Sequence, residues 1–167
     1  MKKIFLVALF ALVTIGSTVF GQLNISKIDK ISSSDEMFID MAVLAAKKSV
    51  ADGGTPNGAV VIVSGTWKST GVPADDKTAE IVAFEKSRKP SLEHATIYTV
   101  NEPTTATLNL LNKAGVESIY FVNPRNQVVA AGIYPASAYD DAKLDSSVKT
   151  APLILLPYPD GQALLTK

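Results

Sequence analysis

Two short stretches concentrate the side chains that could move protons. Thr78-Ala79-Glu80 opens one apolar helical stretch, and Glu102-Pro103-Thr104-Thr105-Ala106-Thr107 opens another after an intervening strand. Glu80 is a carboxylate that can take and return a proton, while Thr78, Thr104 and Thr107 offer neutral hydroxyls that donate and accept hydrogen bonds. Thr104 and Thr107 fall one turn apart on one helix face, where they can bond each other, Glu80 or the backbone. The sequence has no cysteine, and its single histidine, His94, precedes a strand rather than opening a helix. A nucleophilic Thr104 would therefore have only Glu80 as its base, and a carboxylate is a poor base for an alcohol. The plainer roles are Thr78 as a helix N-cap and Glu80 as a first-turn carboxylate, which the helix dipole favours by about 0.3–1 kcal/mol.

The elements that must position these groups are legible from hydrophobic period and punctuation. Ser33 with Glu36 predicts a capping box, and Met37, Phe38, Met41, Ala42, Leu44 and Ala45 continue a buried helical stripe until Gly53-Gly54. Residues 22–32 read as a lead-in or short strand. Ala59 to Val63 is a continuous apolar run of strand length, and Ser64-Gly65 predicts a hairpin turn into a second strand near Thr66 to Val72. A polar loop, Pro73 to Lys77, leads to the helix that Thr78 opens and Lys89-Pro90 closes. Ala95 to Val100 predicts a third strand. The next helix has Pro103 early and Gly115 just past its end. Ser118 to Val122 is a fourth strand, Asn123 to Asn126 a turn, Ser137 to Leu144 a helix, and Leu153 to Leu156 a last strand. Helices interleaved with apolar strands imply a sheet covered on both faces. Trp67 reads as an edge or packing aromatic, and His94 as a loop residue.

The chain begins with Lys2 and Lys3, an apolar run from Ile4 to Ile15, and small or polar residues to Gly21. This pattern predicts a secretory signal over 1–21, cleaved after Gly21, with one domain over 22–167 in a bacterial periplasm or outside the cell. An apolar run of about 12 residues is short against the roughly 20 of a spanning helix, so no stable membrane anchor is expected after cleavage. Formal charge falls from +0 to −2 once the two lysines are removed, and no basic run occurs, which argues against a nucleic-acid partner.

The layout of Thr78-Ala79-Glu80 and Pro103-Thr104-Thr105-Ala106-Thr107 resembles the cytidine/nucleoside deaminase-like superfamily. Its signature is H-x-E at one helix start and P-C-x-x-C at the next, with His and both Cys on zinc and Glu shuttling protons. Pro56-Asn57-Gly58-Ala59-Val60-Val61 is similar to the family's P-x-G-A-V strand, and Ala114-Gly115-Val116 with Ile119 and Phe121 to its strand entry after the second metal helix. The match covers roughly residues 37–132. It implies an α/β fold, a three-layer α/β/α sandwich around a mixed five-stranded sheet. It also implies a vestigial proton shuttle at Glu80, degenerate ligand positions at Thr78, Thr104 and Thr107, and a pocket at Asn57, Ala79, Glu102 and Pro103.

Zinc takes thiolate, imidazole or carboxylate, and without it nothing lowers the pKa of a bound water from about 15.7 toward about 7. The expectation is therefore a non-catalytic module without a cofactor, binding an unknown small molecule or protein. The alternatives are a hydrolytic nucleoside or nucleobase deaminase of cytidine, adenosine or guanine type, holding zinc or another metal through an atypical ligand set, and an oligomeric assembly module built of copies of this chain. The stretch Trp67 to Pro73 lacks the asparagine with which the family contacts sugar or base, so substrate recognition of that type is not expected.

Overall fold

The computed structural model describes residues 23–166, so the expected signal segment and its cleavage point lie outside the described residues. Six strands form one mixed sheet: β1 (Ile25–Lys27), β2 (Ala59–Val63), β3 (Thr66–Gly71), β4 (Ala95–Asn101), β5 (Ser118–Asn123) and β6 (Leu153–Leu155), in the order β1-β6-β5-β4-β2-β3. β4, β5, β6 and β1 run parallel, whereas β2 runs antiparallel to both β3 and β4. The sheet thus has six strands where five are expected, because the segment read as a lead-in or short strand pairs Ile25 with Leu153.

Side chains alternate across the sheet, and both faces are covered. Ala59, Val61, Ile97, Ile119 and Phe121 point to one side, where they pack with Ala79 and Ala83 of α2 (Ala79–Ser87) and with Leu108 and Leu111 of α3 (Thr105–Lys113). Val60, Ile62, Tyr98, Val100 and Val122 point to the other, against Phe38, Ile39, Ala42, Val43 and Ala46 of α1 (Ser33–Ala51). This is the expected layering of helix, sheet and helix. Each wholly buried Leu, Ile or Phe in these clusters stabilises the fold by roughly 1.5–3 kcal/mol. Hydroxyl pins add direction on the α1 face, where Tyr98 donates to Asp35 at 2.6 Å and stacks on Tyr120, and Tyr158 donates to Asp40.

Local differences have local causes. The cap of α1 is Ser32 rather than Ser33: its Oγ accepts from the Asp35 backbone N–H at 3.2 Å and donates to the Asp35 carboxylate at 2.5 Å. Asn123 to Asn126 does not merely turn, since Pro124 takes the N-cap position of α4 (Arg125–Ala130), where its missing N–H costs nothing. No α-helix forms between Ser137 and Leu144. Two 3₁₀ turns stand there, Ala136–Ala138 and Asp141–Lys143, split because Tyr139 leaves helical geometry and Asp140 caps a fresh turn at Ala142. A last short helix, α5 (Pro159–Gln162), and a 3₁₀ turn at Ala163–Leu165 follow β6. Among the described residues no helix is long and apolar enough to cross a membrane.

Candidate functional site

The site forms where α2 and α3 begin, at the end of β4 and the start of β2. Because β2 is antiparallel to β4, with Ala59 opposite Thr99, Asn57, two residues ahead of β2, lies beside Thr99 and Asn101. Asn57 is wholly buried, and its Oδ1 accepts from the backbone N–H of Gly58 at 3.0 Å and of Asn101 at 3.2 Å. Thus fixed, its amide nitrogen donates to Glu80 Oε1 and to the Tyr134 hydroxyl, both at 3.4 Å. Glu80 is 1% exposed, and Thr99 donates to the same Oε1 at 2.5 Å. Oε2 of Glu80 has no partner among the described residues. A buried polar atom left in that state costs about 1–3 kcal/mol, more if charged, unless a ligand or water meets it.

The three threonines converge. Thr107 Oγ1 lies 3.0 Å from Thr78 Oγ1 and 3.0 Å from Thr104 Oγ1, and Thr104 accepts from the Thr107 backbone N–H at 3.3 Å as the cap of α3. Thr78 occupies the N-cap position of α2 but makes no side-chain cap bond, its hydroxyl being turned to Thr107 instead. Pro103 precedes the cap of α3 and so lies one residue outside the helix rather than within it. Ala79 is fully buried and backs the site against β3.

These donors do not fit zinc. Three neutral hydroxyls, already bonded to one another, offer none of the imidazole or thiolate character that a zinc centre needs, and one carboxylate cannot supply it alone. Among the described residues no group of three or more His, Cys, Asp or Glu converges. What the arrangement can do is hold a water or a polar ligand atom among hydroxyls at the start of the helix that carries the buried Glu80 carboxylate.

Glu102 is 1% exposed, but its carboxylate is turned away from the threonines and taken by Arg125, whose backbone N–H and Nε donate to it at 2.8 and 2.6 Å. Arg125 also grips Asp141 at 2.9 and 3.0 Å and lies over the Tyr139 ring. Tyr139 in turn donates to the Glu102 carbonyl at 3.0 Å. This clamp ties the 134–143 segment over the site. Sequence reasoning missed Thr99, Tyr134, Tyr139 and Arg125; only the polar Asn101-Glu102 pair at the end of an apolar strand hinted at this part of the site. Trp67 is exposed on the edge strand and donates to Thr70, while His94 holds a left-handed turn ahead of β4; neither takes part.

Burial, then the negative charge of Glu80, holds the Tyr134 hydroxyl protonated far above the ordinary tyrosine range; burial, then Glu102, does the same for Tyr139. In an unfolded chain both would ionise near about 10. Their contribution to stability is therefore complete below that pH and is lost as the pH rises above it, at up to about 1.4 kcal/mol per pH unit for each tyrosine the fold keeps neutral. Denaturation midpoints of the parent should fall steeply between about pH 10 and 11, and those of a Tyr134→Phe, Tyr139→Phe variant less so. Equal slopes would contradict this.

A cavity of about 320 Å³ reaches the site at Thr78 and Tyr134 and is lined further by Gly54, Thr55, Pro73 and the turn Ala74 to Lys77. No protein-family model and no curated protein matches the sequence. Solved structures do. A tRNA:A34 deaminase, studied for A-to-I editing at the wobble position of transfer RNA, aligns with a TM-score of 0.59 at 18% identity over 78% of this chain and 99% of its own. The guanine deaminase from Nitrosomonas europaea gives 0.63 at 17% identity over 81% and 85% of the two chains, and that from Bacillus subtilis 0.57 at 24% over 70% and 82%. At such identities the likeness establishes the fold. It also corrects the expectation of a non-catalytic binding module: these neighbours are deaminases, no loss of activity is shown, and the hydrolytic alternative is the reading they support.

Proposed function

We infer, for a chain that has the cytidine deaminase-like fold, that the cleft catalyses hydrolytic deamination of an amino-substituted heterocycle of the nucleobase or nucleoside class. The observation that carries this is the buried Oε2 of Glu80, without a partner among the described residues, two residues on from Thr78, whose hydroxyl meets that of Thr107, which in turn meets that of Thr104. Water held among the hydroxyls of Thr78, Thr104 and Thr107 adds to the ring carbon that bears the amine. Glu80 takes the proton that this water loses and returns it to the adjacent ring nitrogen. The tetrahedral carbon then collapses: its C–N bond to the amine breaks, the new C–O bond becomes a carbonyl, and Glu80 relays the remaining proton so that ammonia leaves. The sum is one water consumed and one ammonia released, with no change of oxidation state.

Thr99 and Asn57 position the base. By occupying Oε1 they leave Oε2 to face the water, and a hydrogen-bonded carboxylate of fixed orientation needs no reorganisation at the moment of transfer. Tyr134, kept neutral, lines the cleft without adding charge, and Tyr139 ties the same segment to the Glu102 carbonyl. General-base assistance of this kind is worth about 10²–10⁴-fold, so turnover is expected to be slow. The basic and apolar start of the sequence supports export of the same protein from the cytoplasm.

Ammonia release from guanine, adenosine and cytidine, with products identified by mass, tests this reading. Glu80→Gln should lower kcat/KM by about 10²–10⁴-fold with the fold intact by circular dichroism. No ammonia from any of the three, or full turnover in the Gln variant, would sink it.

A further inference from the structure

The mouth of the cleft carries negative charge and, among the described residues, no uncommitted cation. Its rim is the turn Ala74–Lys77, closed by backbone hydrogen bonds of 3.2 and 2.9 Å between these two residues. The turn sets Asp75 and Asp76 side by side in left-handed geometry, at φ 49° and 61°, a conformation that Asp and Asn tolerate better than other side chains. Both are exposed. Tyr134, which lines the same cavity, is joined through Asn57 to Glu80 with its buried, partnerless oxygen. The cations at hand are already engaged: Lys77 is bonded to Glu85 at 2.8 and 2.9 Å, and Arg125 lies between Glu102 and Asp141. A second cavity of about 520 Å³ shares Gly54 and Thr55 with the first, and no charged side chain lines it.

We propose that this cleft selects an uncharged, phosphate-free ligand, a free amino-substituted base or its nucleoside, and repels the nucleotide and nucleic-acid forms of the same base. The choice of base-like ligands rests on the deaminase reading, whereas the charge discrimination stands on the rim itself. Polyanions gain from lysines and arginines that are free to neutralise phosphate, and this cleft offers none among the described residues. A phosphate dianion brought within several ångströms of Asp75 and Asp76 is repelled by both. At low salt this disfavours it on the order of tenfold against the neutral nucleoside. The shared Gly54-Thr55 boundary gives a sugar neutral room next to the base.

The test is calorimetric titration of the mature protein with guanine, guanosine and guanosine monophosphate at low and high salt. Guanosine should bind on the order of tenfold more tightly than its monophosphate at about 10 mM salt, and the gap should close near 1 M, where the screening length falls from about 30 to about 3 Å. The double variant Asp75→Asn, Asp76→Asn keeps residues suited to the left-handed turn and removes both charges; it should gain affinity for the monophosphate and lose the salt dependence. A monophosphate or an RNA oligonucleotide bound as tightly as guanosine at low salt, a gap unchanged in the double variant, or no binding of any ligand would overturn the proposal. Preference for guanosine without ammonia release would leave the proposal standing and remove the deaminase reading. Ammonia release with no preference would do the reverse.

Discussion

Replacing Gly71 by alanine is expected to destabilise the protein by about 3 kcal/mol and to abolish the site with it. Gly71 ends β3 directly beneath α2, and a Cβ there would lie 2.2 Å from the Ala79 carbonyl oxygen and 2.4 Å from the Ala83 nitrogen. Both are helix backbone, so no side chain can swing aside. Only a lift of the first turn of α2 relieves the contact, and that turn carries Glu80. A displacement of about 1 Å at a reacting group costs on the order of 100-fold in rate, so activity should fall more than the surviving folded fraction explains. Urea denaturation of the parent and the variant, read together with ligand affinity, checks this. An unchanged midpoint would mean that α2 does not lie on β3 as described. Gly58→Ala should behave similarly in stability, because its Cβ would meet the Ala42 carbonyl at 2.2 Å and the Ala46 nitrogen at 2.7 Å on α1.

The combined change Thr78→His, Thr104→Cys, Thr107→Cys should create a zinc site where none of the present residues suits the ion. The three hydroxyl oxygens already meet around Thr107 at 3.0 Å spacings, so two thiolates on α3 and an imidazole at the start of α2 would face one another, leaving a fourth position open. These would be the only cysteines of the chain, and thiol titration in the presence and absence of zinc reports them cleanly. Binding should raise stability by about 2.7 kcal/mol when free zinc stands at 100 times its dissociation constant. A folded variant that takes up no more zinc than the parent would show that the three positions do not share a centre.

How much of this was legible in the sequence depended on whether the governing contacts were local. The strands read at 59–63, 95–100 and 118–122 and the helices opened by Thr78 and Thr104 followed from runs and periods, because most residues buried on the faces of a doubly covered sheet are apolar. The three-residue strand at Ile25–Lys27 lies in the segment read as a lead-in or short strand; it is exposed, and only its pairing with β6 decides between the two. The stretch from Ser137 to Leu144 read as a helix, but Tyr139 within it bonds the Glu102 carbonyl and leaves helical geometry. At the site, spacing placed Thr104 and Thr107 on one helix face, and the convergence of Thr78 with them was what the family resemblance implied. The turning of Glu102 toward Arg125 could not, since it depends on α4 starting just beyond β5. Thr99 looked like one more strand residue, and only the register with β2 sets its hydroxyl on Glu80.

The pairing of β1 with β6 bears on how this chain is made. Ile25 finds its partner in Leu153, so this edge strand, made before the other described strands, must wait until β6 has been synthesised before it can be placed. Pairings of such sequence separation are slow to form, because the closure entropy of the long intervening loop is spent before any contact rewards it. Until then the edge of β6 is open and can accept the β1 segment of another molecule as readily as its own. Crowded refolding of this protein should therefore yield exchanged dimers that dilute refolding does not.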